Sequence, residues 1–227
     1  PSVMKTNSIL RVLFVLAAFS LPFVYVAYLW PTLPERVPIH FGADGQPDRF
    51  GPRGQVLLAP GILMTVGLGA YLLLRNLRRI DPKQNAGGET VFKLADGLLV
   101  FLSLLAVYIV HSAKAGETDN VLFVIVGLLF AWIGNVMHSL KPNYFAGFRF
   151  PWTLESEHNW RKTHRFGGKL WFFGGLAMAA SMWVLPLSNG LAVFFGIVAV
   201  LCVAPVVYSY RLFRKTGKTD SGLGMQN

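Results

Sequence analysis

Six apolar runs, each roughly 20 residues long and set between polar segments, constrain this chain more than any other feature. They fall at 9–30, 56–74, 92–112, 121–140, 170–187 and 191–210. A hydrocarbon layer of about 30 Å is crossed by about 20 helical residues. Inside such a layer every backbone N–H and C=O must be satisfied by the protein, which leaves helices or closed barrels. The residue-by-residue alternation of a membrane barrel is absent from the sequence. The expected fold is therefore an all-α integral membrane protein with six transmembrane helices arranged as three hairpins. Composition agrees, since 53% of the 227 residues are hydrophobic and only 14% are charged. A soluble domain of that length needs more polar surface. The runs are spread evenly from Ser8 to Tyr210, so a single membrane domain over 1–227 is expected, with an N-terminal hairpin and its outer loop over 8–75.

The formal net charge is +10, and its placement gives the orientation. The basic residues form short clusters between apolar runs, which is a topogenic pattern and not a nucleic-acid surface. With the N-terminus inside, 17 of the 21 Lys and Arg lie on the cytoplasmic side. Only Arg36, Arg49, Arg53 and Lys114 fall outside. The expected topology is N-in and C-in. Met4 reads as the start of the natural chain, and the first run, from Ile9 to Trp30, reads as an uncleaved helix because it is too long for a signal-peptide core. The lone cysteine, Cys202, reads as a small apolar core residue. The tail after Lys218 reads as disordered.

Within the runs, Pro22, Pro60 and Pro205 each remove a backbone donor and are expected to kink their helices. Gly67, Gly69, Gly174, Gly175 and the small residues from Ala177 to Ser181 offer faces for close helix packing. Intramembrane polar groups are few: Asp96, with Lys93 three residues earlier, then Asn135 and His138 at i, i+3, and His111 at the outer end of the third run near Glu117 and Asp119. Such groups are functional candidates by default. A small ion-coupled transporter using Asp96 and His138 is one alternative reading.

Two loops exceed the usual connector length. The outer one, 31–55, carries Leu33-Pro34-Glu35-Arg36-Val37-Pro38-Ile39-His40-Phe41. Its prolines enforce extended backbone, and Val37, Ile39 and Phe41 alternate like a short strand. Ala43-Asp44-Gly45-Gln46 is a turn, because Asp tolerates and Gly supplies positive φ. The loop is expected to be an ordered cap. His40, Asp44 and Asp48 are candidate metal ligands, which would allow a metal-dependent membrane enzyme as a further alternative, while pairing of Asp48 with Arg49 or Arg53 is the plainer expectation.

The inner loop, 141–169, is basic and aromatic, with Phe145, Phe148, Phe150, Trp152, Trp160 and Phe166. Thr153 with Glu155 and Glu157 predicts the start of a short helix over 154–166, and Gly167-Gly168 predicts its stop. The loop is read as amphipathic, lying at the interface with the lipid, and as a docking surface for a cytoplasmic protein. No nucleophile–base constellation or phosphate-cradling glycine loop is present, so neither an enzyme nor a cofactor is expected.

At these two loops the chain resembles known families. Leu33 to Phe41, then Gly45 and Asp48, is similar to a bacterial domain of unknown function with a signature near LPxxVPxHF…G…D. Tyr144-Phe145-Ala146-Gly147-Phe148-Arg149-Phe150-Pro151-Trp152-Thr153-Leu154, with Trp160, Thr163-His164 and Gly167-Gly168, resembles the SdpI family signature, departing from it at Phe148 and Phe150. The SdpI-like region then covers 92–215. The resemblance implies a non-enzymatic membrane immunity and signal-transducing protein in a bacterial inner membrane. Its implied partners are a secreted peptide toxin outside and a cytoplasmic repressor inside. Pro38, His40, Phe41, Asp44, Gly45 and Asp48 become the candidate toxin-facing residues. Tyr144, Gly147, Arg149, Pro151, Trp152, Thr153, Trp160, Thr163, His164, Gly167 and Gly168 become the candidate docking residues.

Overall fold

The computed structural model describes residues 2–42, 44–81 and 88–223, so Ala43, Lys83 and the last four residues of the tail lie outside the described residues. The chain is mainly helical: α1 (Ser2–Leu29), α2 (Leu58–Arg75), α3 (Leu77–Ile80), α4 (Glu89–Ala115), α5 (Val121–Met137), α6 (Pro151–Glu155), α7 (Glu157–Val184) and α8 (Leu187–Leu223). Strands β1 (Arg36–Phe41) and β2 (Pro47–Pro52) form one antiparallel hairpin between α1 and α2. Among the described residues four stretches are long and apolar enough to cross a membrane: Ile9–Thr32, Arg53–Arg75, Glu89–Ala115 and Leu187–Lys215. Val121–Met137 is a shorter apolar helix. The protein is a multi-pass membrane protein.

The chain divides into two compact units. The first comprises Pro1–Leu74 and Lys93–Leu122. Here α1, α2 and α4 pack through Ala18, Tyr71, Ala95 and Leu99. Gly67 lets α2 come within van der Waals contact of Leu99 and Leu102. Toward the other end, Val26, Leu33, Val37, Val56, Val110 and Ala113 form a second core under the hairpin. Pro60 differs from its expected role. Helix α2 starts at Leu58, so Pro60 sits in the first turn, where the missing N–H has no intrahelical partner to lose.

The second unit comprises Arg75–Phe92 and Phe123–Asn227. Its α5 and α7 meet backbone to backbone. A Cβ built on Gly134 would lie 2.4 Å from the Phe172 nitrogen, and one on Gly175 would lie 2.3 Å from the Ala131 nitrogen. Such a seam admits only glycine at those positions, and small residues are the usual means of close approach between helices in lipid. Gly127 and Gly134 on α5 were not singled out by sequence; only the facing helix shows their use.

Helix α8 keeps Pro205 in its interior. Proline has no N–H, so the carbonyl four residues earlier, Leu201, loses its helical partner. The indole N–H of Trp171 donates to that carbonyl at 3.1 Å. A side chain of α7 thereby satisfies the break in α8.

Three further expectations need correction. The Gly167-Gly168 pair does not end a helix, because α7 runs unbroken from Glu157 to Val184 and joins the expected inner helix to the fifth apolar run. Both glycines are packing positions: a Cβ on Gly167 would strike the Phe148 ring, and one on Gly168 would lie 2.9 Å from the Gly134 carbonyl oxygen. Cys202 is exposed and is not in a core. On a lipid-facing helix the outer surface is as apolar as the inner one, so apolar surroundings in sequence do not imply burial. The tail from Lys218 to Leu223 continues α8, since Gly217 and Gly222 weaken a helix by about 1 kcal/mol each without stopping it.

Candidate functional site

The inner loop is built around polar groups that are satisfied one by one. Asn143 is buried and uses its whole amide. Its Nδ2 donates to the carbonyls of Lys141 and Ala146, and its Oδ1 accepts from the N–H groups of Phe145 and Ala146. This fixes the chain up to Gly147, whose φ of 105° is open to glycine and strained for other residues. Position 147 is also filled from outside, because a Cβ there would fall 2.2 Å from His164 Nε2.

His164 is the hub. Its Nε2 accepts from the Phe148 N–H at 2.9 Å, and its Nδ1–H donates to the Trp160 carbonyl at 2.9 Å. Those two partners require the neutral tautomer with hydrogen on Nδ1. Burial pushes the imidazole pKa from 6.5 down to about 4, against the raising effect of the Trp160 carbonyl. The ring stacks on Trp160 with centroids 3.9 Å apart. Trp160 in turn donates to the Leu140 carbonyl at 2.8 Å.

Thr153 completes the loop. Its hydroxyl donates to the Phe148 carbonyl at 2.7 Å and accepts from the Phe150 N–H at 2.9 Å. Thr153 therefore shapes the short α6. Ser156, accepting from the Asn159 N–H at 3.2 Å, caps α7 with Glu157 in its first turn. The loop is tied to α8 through Ser209: Trp152 Nε1 donates to its hydroxyl at 3.0 Å and Asn159 Nδ2 to its carbonyl at 3.0 Å. Thr163 donates to Asn159 Oδ1 at 2.9 Å.

Of the candidate docking residues, Thr153, Trp160, Thr163, His164, Gly167 and Gly168 are buried, and Trp152 is half-buried against Tyr210 and Phe213. Tyr144, Gly147, Arg149 and Pro151 are exposed. Arg149 is held in place by its bond to the Tyr144 carbonyl at 2.7 Å. Asn143, Asn159 and Ser209 belong to the same network and were missed by sequence. Polar residues inside a membrane-adjacent motif were the available signal.

The outer hairpin is organised differently. The register slips between Pro38 and His40 and again between His40 and Phe41. The simple alternation of Val37, Ile39 and Phe41 is thereby broken: Val37 and Pro38 are buried, Ile39 is exposed and Phe41 is half-buried. A bulge of this kind redirects side chains along an edge. His40 Nδ1 meets Asp48 Oδ1 at 2.6 Å, with both side chains more than half exposed. Asp48 thus pairs with His40, and Asp44 turns away to accept from the Gln46 N–H. Gly45 is buried with φ of 79°, and its carbonyl accepts from Thr118. Among the described residues no group of three potential ligands gathers around a metal position, and Asp44 is engaged in the turn.

The remaining polar candidates are dispersed. Asp96 is half-buried on α4 and has partners of its own. His138 follows α5 and lies 3.1 Å from the Ser139 hydroxyl, and Asn135 is exposed. His111 shares a hydrogen bond with the Tyr25 hydroxyl at 3.0 Å. Tyr108 is the residue that engages Asp119.

Comparison with known proteins supplies what geometry does not. Residues 139–209 match the SdpI/YfhL protein family. Residues 17–64 match a domain of unknown function, DUF1648. The immunity protein SdpI of Bacillus subtilis (strain 168) is 22% identical over 201 residues, covering 86% of this chain and 92% of that protein. An uncharacterized protein of Archaeoglobus fulgidus is 40% identical over 63 residues, 28% of this chain and 34% of that protein. No solved structure matches the chain.

Proposed function

We propose, from the match of residues 139–209 to the SdpI/YfhL protein family, that this chain is a non-enzymatic membrane immunity protein that protects its cell from a secreted, membrane-active peptide. The observation that carries this reading is the alignment with the immunity protein SdpI along 92% of that protein's length. In this reading the chain crosses the membrane six times with both ends in the cytoplasm, α5 and the apolar half of α7 being added to the four long apolar stretches. A 17-residue helix such as α5 spans about 26 Å, close to the hydrocarbon thickness. In this topology the hairpin faces outward and the α6–α7 region faces the cytoplasm.

The toxin-facing surface is then the exposed edge of the hairpin, His40, Asp44 and Asp48. Pro38, Phe41 and Gly45 shape that edge. The cytoplasmic surface offers Tyr144, Arg149 and Pro151 to a repressor, held in position by Thr153, Trp160 and His164. The test is survival of sensitive cells expressing the protein when challenged with membrane-active peptide toxins, against an empty-vector control. Protection is expected. Equal killing of both, with the protein verified in the membrane, would reject the immunity reading.

A further inference from the structure

Where α5 ends, its side toward α7 leaves a groove of about 380 Å3. Its lining includes Gly134 and Gly168, where the backbones of α5 and α7 are in direct contact. Along α7 the lining runs from Arg165 and Lys169 to Phe172 and Phe173, and Asn135 and His138 line it from α5 and its end. Arg165 and Lys169 are one turn apart on α7 and both are exposed. Among the described residues neither has a hydrogen bond or ion pair, whereas Arg161 one turn earlier is held by Glu157. Asn135 adds an amide donor to the lining from α5. Phe173 is 65% exposed, so the apolar end of the groove is uncovered as well.

This order of groups has the polarity of one class of ligand. Two unpaired cations and an amide suit phosphate oxygens, and the exposed ring next along the helix suits a hydrocarbon chain. We propose that the groove binds an anionic phospholipid, with its phosphate between Arg165 and Lys169 and an acyl chain along Phe172 and Phe173. The headgroup would lie over the α5–α7 glycine seam and not within it, because the facing backbones are already in contact there. The basic end of α7 lies on the side that the proposed topology assigns to the cytoplasm, where anionic lipids attract juxtamembrane cations.

The test uses the purified full-length protein in detergent, titrated with phosphatidylglycerol and, separately, with phosphatidylcholine, and read by native mass spectrometry. Phosphatidylglycerol is expected to be retained and phosphatidylcholine lost. Arg165→Gln and Lys169→Gln should each weaken retention about fivefold, and the double variant about thirtyfold. Lys162→Gln, on the same helix but outside the groove, should match the unchanged protein, and the double exchange Arg165→Lys with Lys169→Arg should keep binding. If the double neutral variant fails to fold, the two single variants decide. Equal retention of both lipids, or undiminished retention by the single variants, would overturn the proposal. So would displacement of phosphatidylglycerol by inorganic phosphate at equal concentration, which would indicate a free-anion site. No toxin enters this measurement, so its outcome is separate from that of the immunity reading.

Discussion

The two long loops handle their polar groups in opposite ways. In the outer hairpin the motif histidine and aspartate pair with each other and remain more than half exposed. In the inner loop Asn143, Thr153, Asn159, Thr163 and His164 are buried and bond to backbone or to one another. Two equally recognisable motifs therefore do different work. The inner motif specifies a shape, because an unsatisfied polar group at such a site costs about 1–3 kcal/mol. The outer motif leaves its chemistry facing solvent on a backbone that bulges and turns underneath it. A signature residue is thus evidence of a constrained position, and only its surroundings tell whether the constraint is packing or contact with a partner.

Substitutions test that contrast. The largest effect is expected at Gly147, where Gly147→Val adds both a strained φ and a clash with His164. A loss of about 4 kcal/mol is expected, read as a collapse of the melting temperature in detergent. A melting curve like that of the unchanged protein would remove the basis for calling the inner loop tightly packed.

The next effect is a pH dependence. The His164 pKa is pushed from 6.5 to about 4 by burial, so between those values the unfolded chain binds a proton that the folded one does not. The corresponding stability is fully present above about pH 6.5 and is lost as pH falls toward 4, in total about 3 kcal/mol. His164→Gln should flatten that part of the curve of melting temperature against pH. The same slope in both proteins would mean that another group is responsible.

Asn143→Ala should cost about 2 kcal/mol by leaving the N–H groups of Phe145 and Ala146 without their acceptor. Protease sensitivity confined to residues 141–150 would be its signature. The smallest stability effect is expected at the exposed pair, where Asp48→Asn should change the melting temperature by the equivalent of less than about 1 kcal/mol. In the same variant, protection against a peptide toxin should fall. Full protection by the double variant His40→Ala with Asp48→Asn would take the hairpin edge out of the proposed toxin surface.

Much of the architecture was legible from residue order. Apolar runs predicted the long helices, because backbone in lipid has so few alternatives. Pro34, Pro38, Asp44 and Gly45 marked an ordered outer loop, and β1 and β2 occupy it. What was not legible depended on a neighbour distant in sequence. Gly167 and Gly168 carry the local pattern of a helix stop, yet they lie inside α7 because α5 and Phe148 press on them. Alternation in 37–41 could not reveal the bulge, which depends on how β1 registers with β2.

Taken alone, then, the sequence determined that this protein crosses a membrane several times and which two segments carry its motifs. Both follow from local hydropathy and from the restricted backbone angles of proline and glycine. The tertiary structure decided which motif residues are buried. It also decided that His164 is neutral, that Trp171 answers the carbonyl freed by Pro205, and that glycines on α5 and α7 bring those two helices into backbone contact. Those outcomes rest on contacts between residues far apart in the chain, and a hydrogen bond or a backbone contact of that kind leaves no periodic trace in the order of the amino acids.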